Sequence, residues 1–360
     1  MKSTQTSSRK QQHVTLALSK DVSFREKASG FETLEFTHNA LPELNFDEID
    51  PSTTFLGKSV SLPIIVSSMT GGYKDAERIN RSLAEACAEK NIAMGVGSQR
   101  QAIEDSTYHR SFAVVREVAP NIPIFGNIGA AEVATLTTAA PVERLAELIG
   151  ADGFAVHLNP LQELLQPEGN VMFRGVLRGI ELLVKSLKIP VIVKEIGAGI
   201  SAAVARRLTD VGVRIIDVAG AGGTSWAGVE ILRRGNSHNG KRTKTGSRDF
   251  ARSFWDWGIP TVSALREVMP LKSRVRKLQV LASGGVGNGL DVAKALALGA
   301  DLGGAARPFL KTLEAGGIGG LLRELTVWEM ELKGAMFLTG SRTIPELQQQ
   351  QLIVAHSSIR

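Results

Sequence analysis

Lys194 closes the apolar run 190–193, and Ser283-Gly284-Gly285-Val286 closes another, 278–282. A lysine at the end of a buried run can serve as a fixed cation beside an electron-rich ring. Bare backbone N–H groups at the end of a second run can point at a phosphate. A third run, 153–158, leads into His157-Leu158-Asn159-Pro160-Leu161-Gln162-Glu163, which places an imidazole, two amides and a carboxylate close together. Each feature also has a plainer reading. Lys194 is equally a lysine snorkelling to a barrel mouth, His157 a satisfied core histidine, Glu163 an ordinary loop acid, and the Gly-Gly pair a simple turn.

The same kind of ending recurs. Ser67-Ser68-Met69-Thr70-Gly71-Gly72 follows the run 63–68, Gly97-Ser98-Gln99-Arg100 follows 92–96, and Gly126-Asn127-Ile128-Gly129-Ala130 closes 122–127. Gly222-Gly223-Thr224-Ser225-Trp226 follows 213–218, and Gly303-Gly304-Ala305-Ala306-Arg307 belongs to 301–305 and its exit. These eight runs, with 190–194 and 278–282, are mostly continuous rather than alternating, as strands covered on both faces require. Helical patterns separate them: 75–90, 142–149 after Pro141, 201–211 behind Ser201 as N-cap, and 290–299 with Gly299 as a stop. Eight strand–helix units predict an α/β fold, a (β/α)8 TIM barrel over 61–345. Residues 1–60 are expected to be an N-terminal extension with little regular pattern, and 346–360 a C-terminal tail. In such a barrel, function collects at the carboxyl ends of the strands. The Gly-Gly after strand 7, paired with the small residues after strand 8, matches the phosphate site that barrels build there.

Composition narrows the class. Hydrophobic residues make up 43% and charged residues 22%, ordinary for a globular protein. The formal charge is +6, unevenly placed. Lys2, Arg9, Lys10 and Lys20 stand in the first 20 residues without an acid, and 233–252 holds seven Lys/Arg against Asp249 alone. The second cluster reads as a mobile basic insertion after strand 6. Such clusters are either a diffuse nucleic-acid face or a phosphate site, and Arg9-Lys10 with His13 is on composition a solvated tail. Arg100 is a surface charge or a bidentate phosphate clamp. Cys87 is the only cysteine, which excludes an intrachain disulfide. No apolar run is long enough to span a membrane and the first residues lack a secretory pattern, so a cytoplasmic location is expected, with no membrane or nucleic-acid partner. Neither a Rossmann fingerprint, a nucleophile triad nor zinc-ligand spacing is present.

Taken together, Arg9-Lys10 with His13, SSMTGG at 67–72, GSQR at 97–100, GNIGA at 126–130, HLNPLQE at 157–163, VKE at 193–195, AGAGGTSW at 219–226, SGGV at 283–286 and the AAR at 305–307 resemble the type 2 isopentenyl-diphosphate isomerases, in order across nearly the whole chain. The resemblance implies FMN bound by Ser68, Met69, Thr70, Gly71, Ser98, Asn127, Lys194, Thr224, Gly284, Gly285, Val286, Ala305 and Ala306. It implies a diphosphate held by Arg9, Lys10, Ser98, Gln99 and Arg100, with His157, Asn159 and Gln162 nearby and Mg²⁺ on Glu163. Gln162, Lys194 and His157 are the implied catalytic residues. Some members carry a serine where this chain has Ala219. The implied reaction moves a double bond between isopentenyl and dimethylallyl diphosphate, with reduced FMN as acid/base, NADPH as its reductant, and a homotetramer or homo-octamer as the assembly. Two rivals remain: an FMN oxidoreductase of a small hydroxy acid, which usually needs a histidine base and arginine clamps, and a basic barrel that binds RNA or protein.

Overall fold

In the computed structural model, which describes residues 2–237 and 250–355, all eight apolar runs are parallel strands of one closed barrel. They are β1 (Ile64–Val66), β2 (Ala93–Gly95), β3 (Ile124–Gly129), β4 (Gly153–His157), β5 (Val191–Lys194), β6 (Ile215–Asp217), β7 (Gln279–Ser283) and β8 (Leu302–Ala305). Pairing follows chain order, and Gly303, Gly304 and Ala305 opposite Ile64, Ile65 and Val66 close the ring. The four helices read from the sequence are present as Ala76–Lys90, Ala140–Leu148, Ala202–Asp210 and Gly289–Ala297. Ser201 caps the third, accepting from the Val204 backbone N–H.

Alternation along the strands builds the barrel interior in layers. Ile65, Ala93, Phe125, Ala155, Ile192, Ile215, Leu281 and Leu302 point inward as one apolar layer. Two residues further on, the same inward direction belongs to Ser67, Gly95, Asn127, His157, Lys194, Asp217, Ser283 and Gly304. The upper layer is therefore polar because the strand period is two. From below, the hairpin of Thr53–Phe55 and Lys58–Val60 plugs the barrel, with the Phe55 ring edge-on to Phe125 at 6.4 Å.

Two expectations are corrected. The first 60 residues are not without pattern: Lys2–Ser19 form a helix, α1. Its Ser, Thr and Gln residues hide the periodicity, and its order comes from partners distant in sequence: Leu16 packs with Val22 and Val229, and Val14 with the main core. The basic stretch after β6 is not wholly an insertion either. Arg233 belongs to a helix running Trp226–Ser237 and is buried. Residues 238–249, the rest of that stretch apart from its flanks, lie outside the described residues. At the far end, Leu352–Val354 pair antiparallel with Leu34–Phe36. Numbering helices by their part in the site, Pro160–Leu165 is α2, Trp226–Ser237 is α3, and Arg307–Thr339, broken at Gly317, is α4.

Candidate active site

The upper polar layer is a continuous set of contacts. Asn127 Oδ1 lies 2.7 Å from His157 Nδ1. His157 stands beside Lys194 and Lys194 beside Asp217 in the strand register. Lys194 Nζ donates to the Glu195 carbonyl at 2.5 Å and lies 3.9 Å from Asp217 Oδ2, while Ser283 Oγ donates to Asp217 Oδ1 at 2.7 Å. Burial raises the Asp217 carboxyl above its ordinary range, and Lys194 opposes that shift. Asp217 is the partner that sequence reading missed. Its signal was an acid inside the apolar run 213–218, two positions after an inward isoleucine.

His157 is held far below the usual imidazole range, at about 3, by burial and then by Lys194, Lys10 and Arg9. It is therefore neutral at physiological pH. Because Asn127 Oδ1 only accepts, Nδ1 carries the hydrogen and Nε2 presents a lone pair.

Above this layer lies a cavity of about 390 Å³, within the size range of cofactor pockets. Of the residues expected to hold a flavin, Ser68, Met69, Lys194, Thr224, Gly284, Gly285, Val286, Ala305 and Ala306 line it. Thr70, Gly71, Ser98 and Asn127 do not; Asn127 lies in the polar layer, on His157. The Thr70 hydroxyl is bonded to the buried amide of Asn80, and Gly97 N–H donates to the Thr70 carbonyl at 2.7 Å. Ala219, at the position that departs from the resembled pattern, lines the cavity with φ +37°.

Two observations fit FMN. The Ser68 hydroxyl is buried at the cavity without a hydrogen-bond partner among the described residues. Gly284 and Gly285 have φ +90° and +74°, and a Cβ at Gly284 would lie 2.1 Å from the Gly220 carbonyl oxygen. The cradle is closed from behind by the N-terminal segment: Phe24 N–H donates to the Gly223 carbonyl, and Ser225 N–H to that of Val22. Arg307 ties the start of α4 to this segment by donating to the Ala17 and Lys20 carbonyls and to Ser23 Oγ.

A cationic cluster adjoins the β2, β3 and β4 exits. α1 delivers Arg9 and Lys10. Lys10 Nζ donates to the Gly71 carbonyl at 3.0 Å and also to that of Ser98, so it joins the β1 and β2 loops. Burial, with Arg9 beside it, pulls Lys10 down to about 7. Arg100 is held by Glu104 (3.3 Å) and Glu132 (3.0 Å). Gln99 is fully buried, with its amide donating to the Leu145 carbonyl and accepting from Asn127 N–H; the structure places it behind Asn127 rather than in the cluster.

α2 carries Gln162 and Glu163. Asn159 Nδ2 donates to Gln162 Oε1 (3.2 Å) and Glu163 Oε1 (3.0 Å), and Asn170 N–H donates to Glu163 Oε2 (2.6 Å). Gln162 Nε2 donates in turn to Glu230 on α3 at 3.3 Å. Glu230, fully buried, also meets His13 Nε2 and Arg233 Nε, each at 2.8 Å. This second missed residue joins α1, α2 and α3. Nothing in the local sequence distinguishes it from a surface glutamate.

Lys10 attracts an anion only while protonated, so if this cluster holds a diphosphate, KM is expected to rise as pH climbs through about 7. Arg9→Ala/Lys10→Ala should raise KM roughly tenfold or more, at about 1.4 kcal/mol per factor of ten, and remove the Lys10-dependent rise. Initial-rate measurements across pH check both. An unchanged KM would return the pair to a structural role.

Among the described residues no helix is long and apolar enough to cross a membrane. The FMN-dependent dehydrogenase family matches residues 3–115 and 170–354. Solved structures with the same fold include a flavocytochrome b2 (TM-score 0.67, 21% identity, 96% of this chain and 83% of that one) and a mandelate oxidase (0.64, 18%, 94% and 95%). Curated relatives named isopentenyl-diphosphate delta-isomerase are far more similar. Those of Pelodictyon phaeoclathratiforme (49% identity, 97% of both chains) and Halobacterium salinarum (45%, 98% of this chain and 94% of the relative) align nearly end to end. The chain belongs to the FMN-dependent dehydrogenase family and, within it, to the type 2 isopentenyl-diphosphate delta-isomerases.

Proposed function

We propose that the chain interconverts isopentenyl and dimethylallyl diphosphate by a 1,3-allylic proton shift, with reduced FMN in the cavity, Mg²⁺ on the diphosphate and NADPH as the reductant. The observation that carries this reading is that Arg9 and Lys10 act on His157, the strand neighbour of Lys194, and that Lys194 lines a cavity shared with Gly284 and Gly285. Two anionic groups thus have separate anchors, and an alkene attached to one of them is brought over a ring attached to the other.

The chain's own residues supply binding, orientation and charge. Arg9, Lys10 and Arg100 offset the diphosphate charge, and binding there fixes the geometry of the distant carbons. Lys194 places a cation at the cavity floor, where it favours the anionic form of a reduced ring. Reduced FMN, when bound, supplies an electron-rich face against a cation-like alkene and a nitrogen able to exchange a proton. Gln162, fixed by Asn159 and Glu230, orients the hydrocarbon or relays a proton. Neutral His157 accepts at Nε2 rather than adding charge.

Glu163 suits a metal that arrives with its substrate. Each of its oxygens receives one N–H and keeps a second lone pair. Among the described residues no cluster of three metal-ligating side chains exists, so the diphosphate and water complete the Mg²⁺ shell. The reading includes a homotetramer or homo-octamer in a cytoplasmic setting; exposed Val327, Met330 and Leu338 on α4 offer apolar surface for contact with a second copy.

Hydroxy-acid oxidation, the chemistry of the fold neighbours, is disfavoured. Among the described residues no histidine lines the cavity, and the one lining arginine, Arg307, is bonded to α1 and the residues after it. Isomer exchange followed by NMR tests the reading: turnover should require reduced flavin with catalytic NADPH. A protein that cannot be loaded with FMN, or that consumes NADPH stoichiometrically, overturns it. Glu163→Gln is expected to lower activity and weaken its Mg²⁺ dependence with flavin still bound. An unchanged Mg²⁺ titration removes Glu163 from the metal.

A further inference from the structure

Trp226 opens α3 and forms part of two walls. Its indole lines the flavin cavity and also a second, water-sized hollow of about 10 Å³. Ile196 and Gly197 are shared in the same way, and the far side of the hollow is closed by Phe24, Leu161, Gln162, Ala198 and Trp257. The indole is a partition between a large space and a small one.

The partition is braced. The His13 imidazole stands edge-on to the Trp226 ring, with centroids 5.4 Å apart and planes at 78°, and His13 is itself held by Glu230. Trp226 also packs against the cluster of Leu16, Val22 and Val229. An aromatic ring fixed on several sides resists displacement by a bulkier ligand, because a close-packed wall yields only at the cost of strain elsewhere.

The N-terminal helix supplies the bearing. It carries Arg9 and Lys10, which the isomerase reading sets on the diphosphate, and its His13 stands against the Trp226 ring. That reading therefore brings the substrate to the side of the cavity that Trp226 closes, while Gln162 lies beyond the indole in the wall of the small hollow.

We propose that Trp226 sets the size of the alkyl branch the site accepts. With the indole in place the site takes a diphosphate whose alkene carries a methyl branch. Without it, the cavity joins the second hollow and a longer branch fits. The inference rests on the isomerase reading. In either substrate one C–H bond forms at the terminal alkene carbon and one breaks at the carbon next to C–O–P, so no co-reactant is consumed.

The test compares two substrates on the full chain loaded with FMN and reduced by NADPH: isopentenyl diphosphate, and its homologue with ethyl in place of the branch methyl. One misfit methylene costs about 10- to 200-fold in kcat/KM, so wild type should prefer the methyl compound by at least tenfold. Trp226→Ala should narrow that preference at least tenfold, Trp226→Phe should fall between, and Ala198→Leu added to Trp226→Ala should restore it by refilling the hollow. Trp226→Leu, which keeps apolar packing against Leu16 and Val229, answers the same question if the alanine variant does not fold. A flavin-loaded Trp226→Ala or Trp226→Leu protein that turns over isopentenyl diphosphate with wild-type discrimination overturns the proposal. A wild type inactive on isopentenyl diphosphate refutes the isomerase reading instead.

Discussion

Replacing Lys194 with Met is expected to lower kcat by a factor of about 10²–10³, the usual consequence of removing one preorganised charge from a water-poor site. Lys194 is buried at the cavity floor. Its amine holds the Glu195 carbonyl and faces Asp217, whose carboxylate has no other cationic partner among the described residues. The same substitution strands Asp217 as a buried charge, a change that typically costs about 3–5 kcal/mol when one partner of a buried pair is removed. The two effects separate by experiment. Lys194→Met/Asp217→Asn should recover most of the lost thermal stability, because a neutral amide still accepts from Ser283 Oγ and the Ala219 N–H. It should not recover kcat, because the cation is still missing. Tm and single-turnover rates on the flavin-loaded protein check this. Full activity in the double variant would mean that Lys194 is only a structural counterion.

Gly284→Ala is expected to reduce FMN affinity by at least about a hundredfold. A non-glycine residue at φ +90° costs roughly 1–3 kcal/mol from the backbone alone. The added Cβ would also collide with the Gly220 backbone, which sits in the neighbouring β6 exit and has no flexible end to give way. The loop must open, and its N–H groups then no longer converge on a phosphate. Gly334→Ala on α4 is the control: it has ordinary φ, nothing lies within 4 Å of its added Cβ and it does not line the cavity, so FMN affinity should change by no more than about 0.5 kcal/mol. Flavin fluorescence titration with FMN and with riboflavin reads the result. The penalty should fall on FMN, which carries the phosphate, and much less on riboflavin. Equal losses on both would place the phosphate elsewhere.

What the sequence determined by itself was the part governed by short-range order. Mostly continuous apolar or β-branched runs marked seven strands to within a residue or two, and the eighth, Asp301-Leu302-Gly303-Gly304-Ala305, followed from its position in the strand–helix alternation. Ser201 and Pro141 marked helix starts because capping is chemistry between neighbours. The in-phase polar endings of the runs located the site, and the motif residues 67–72, 157–163 and 283–286 carried the family.

The tertiary structure alone decided which of those residues share a space. α1 is polar along most of its length, and partners distant in the chain, Gly71 and Ser98 at Lys10, Val229 at Leu16 and Glu230 at His13, fix it beside the site. Arg233 looked like part of a solvated basic stretch and is a buried partner of Glu230 and Glu168. Gln99 and Thr70 belong to the right segments but turn into the frame behind the cavity. Asp217, Glu230 and Trp226 acquire their roles through contacts between elements far apart in the chain. Side-chain direction at such positions is set by packing and by the satisfaction of buried polar groups, and neither is encoded in local periodicity.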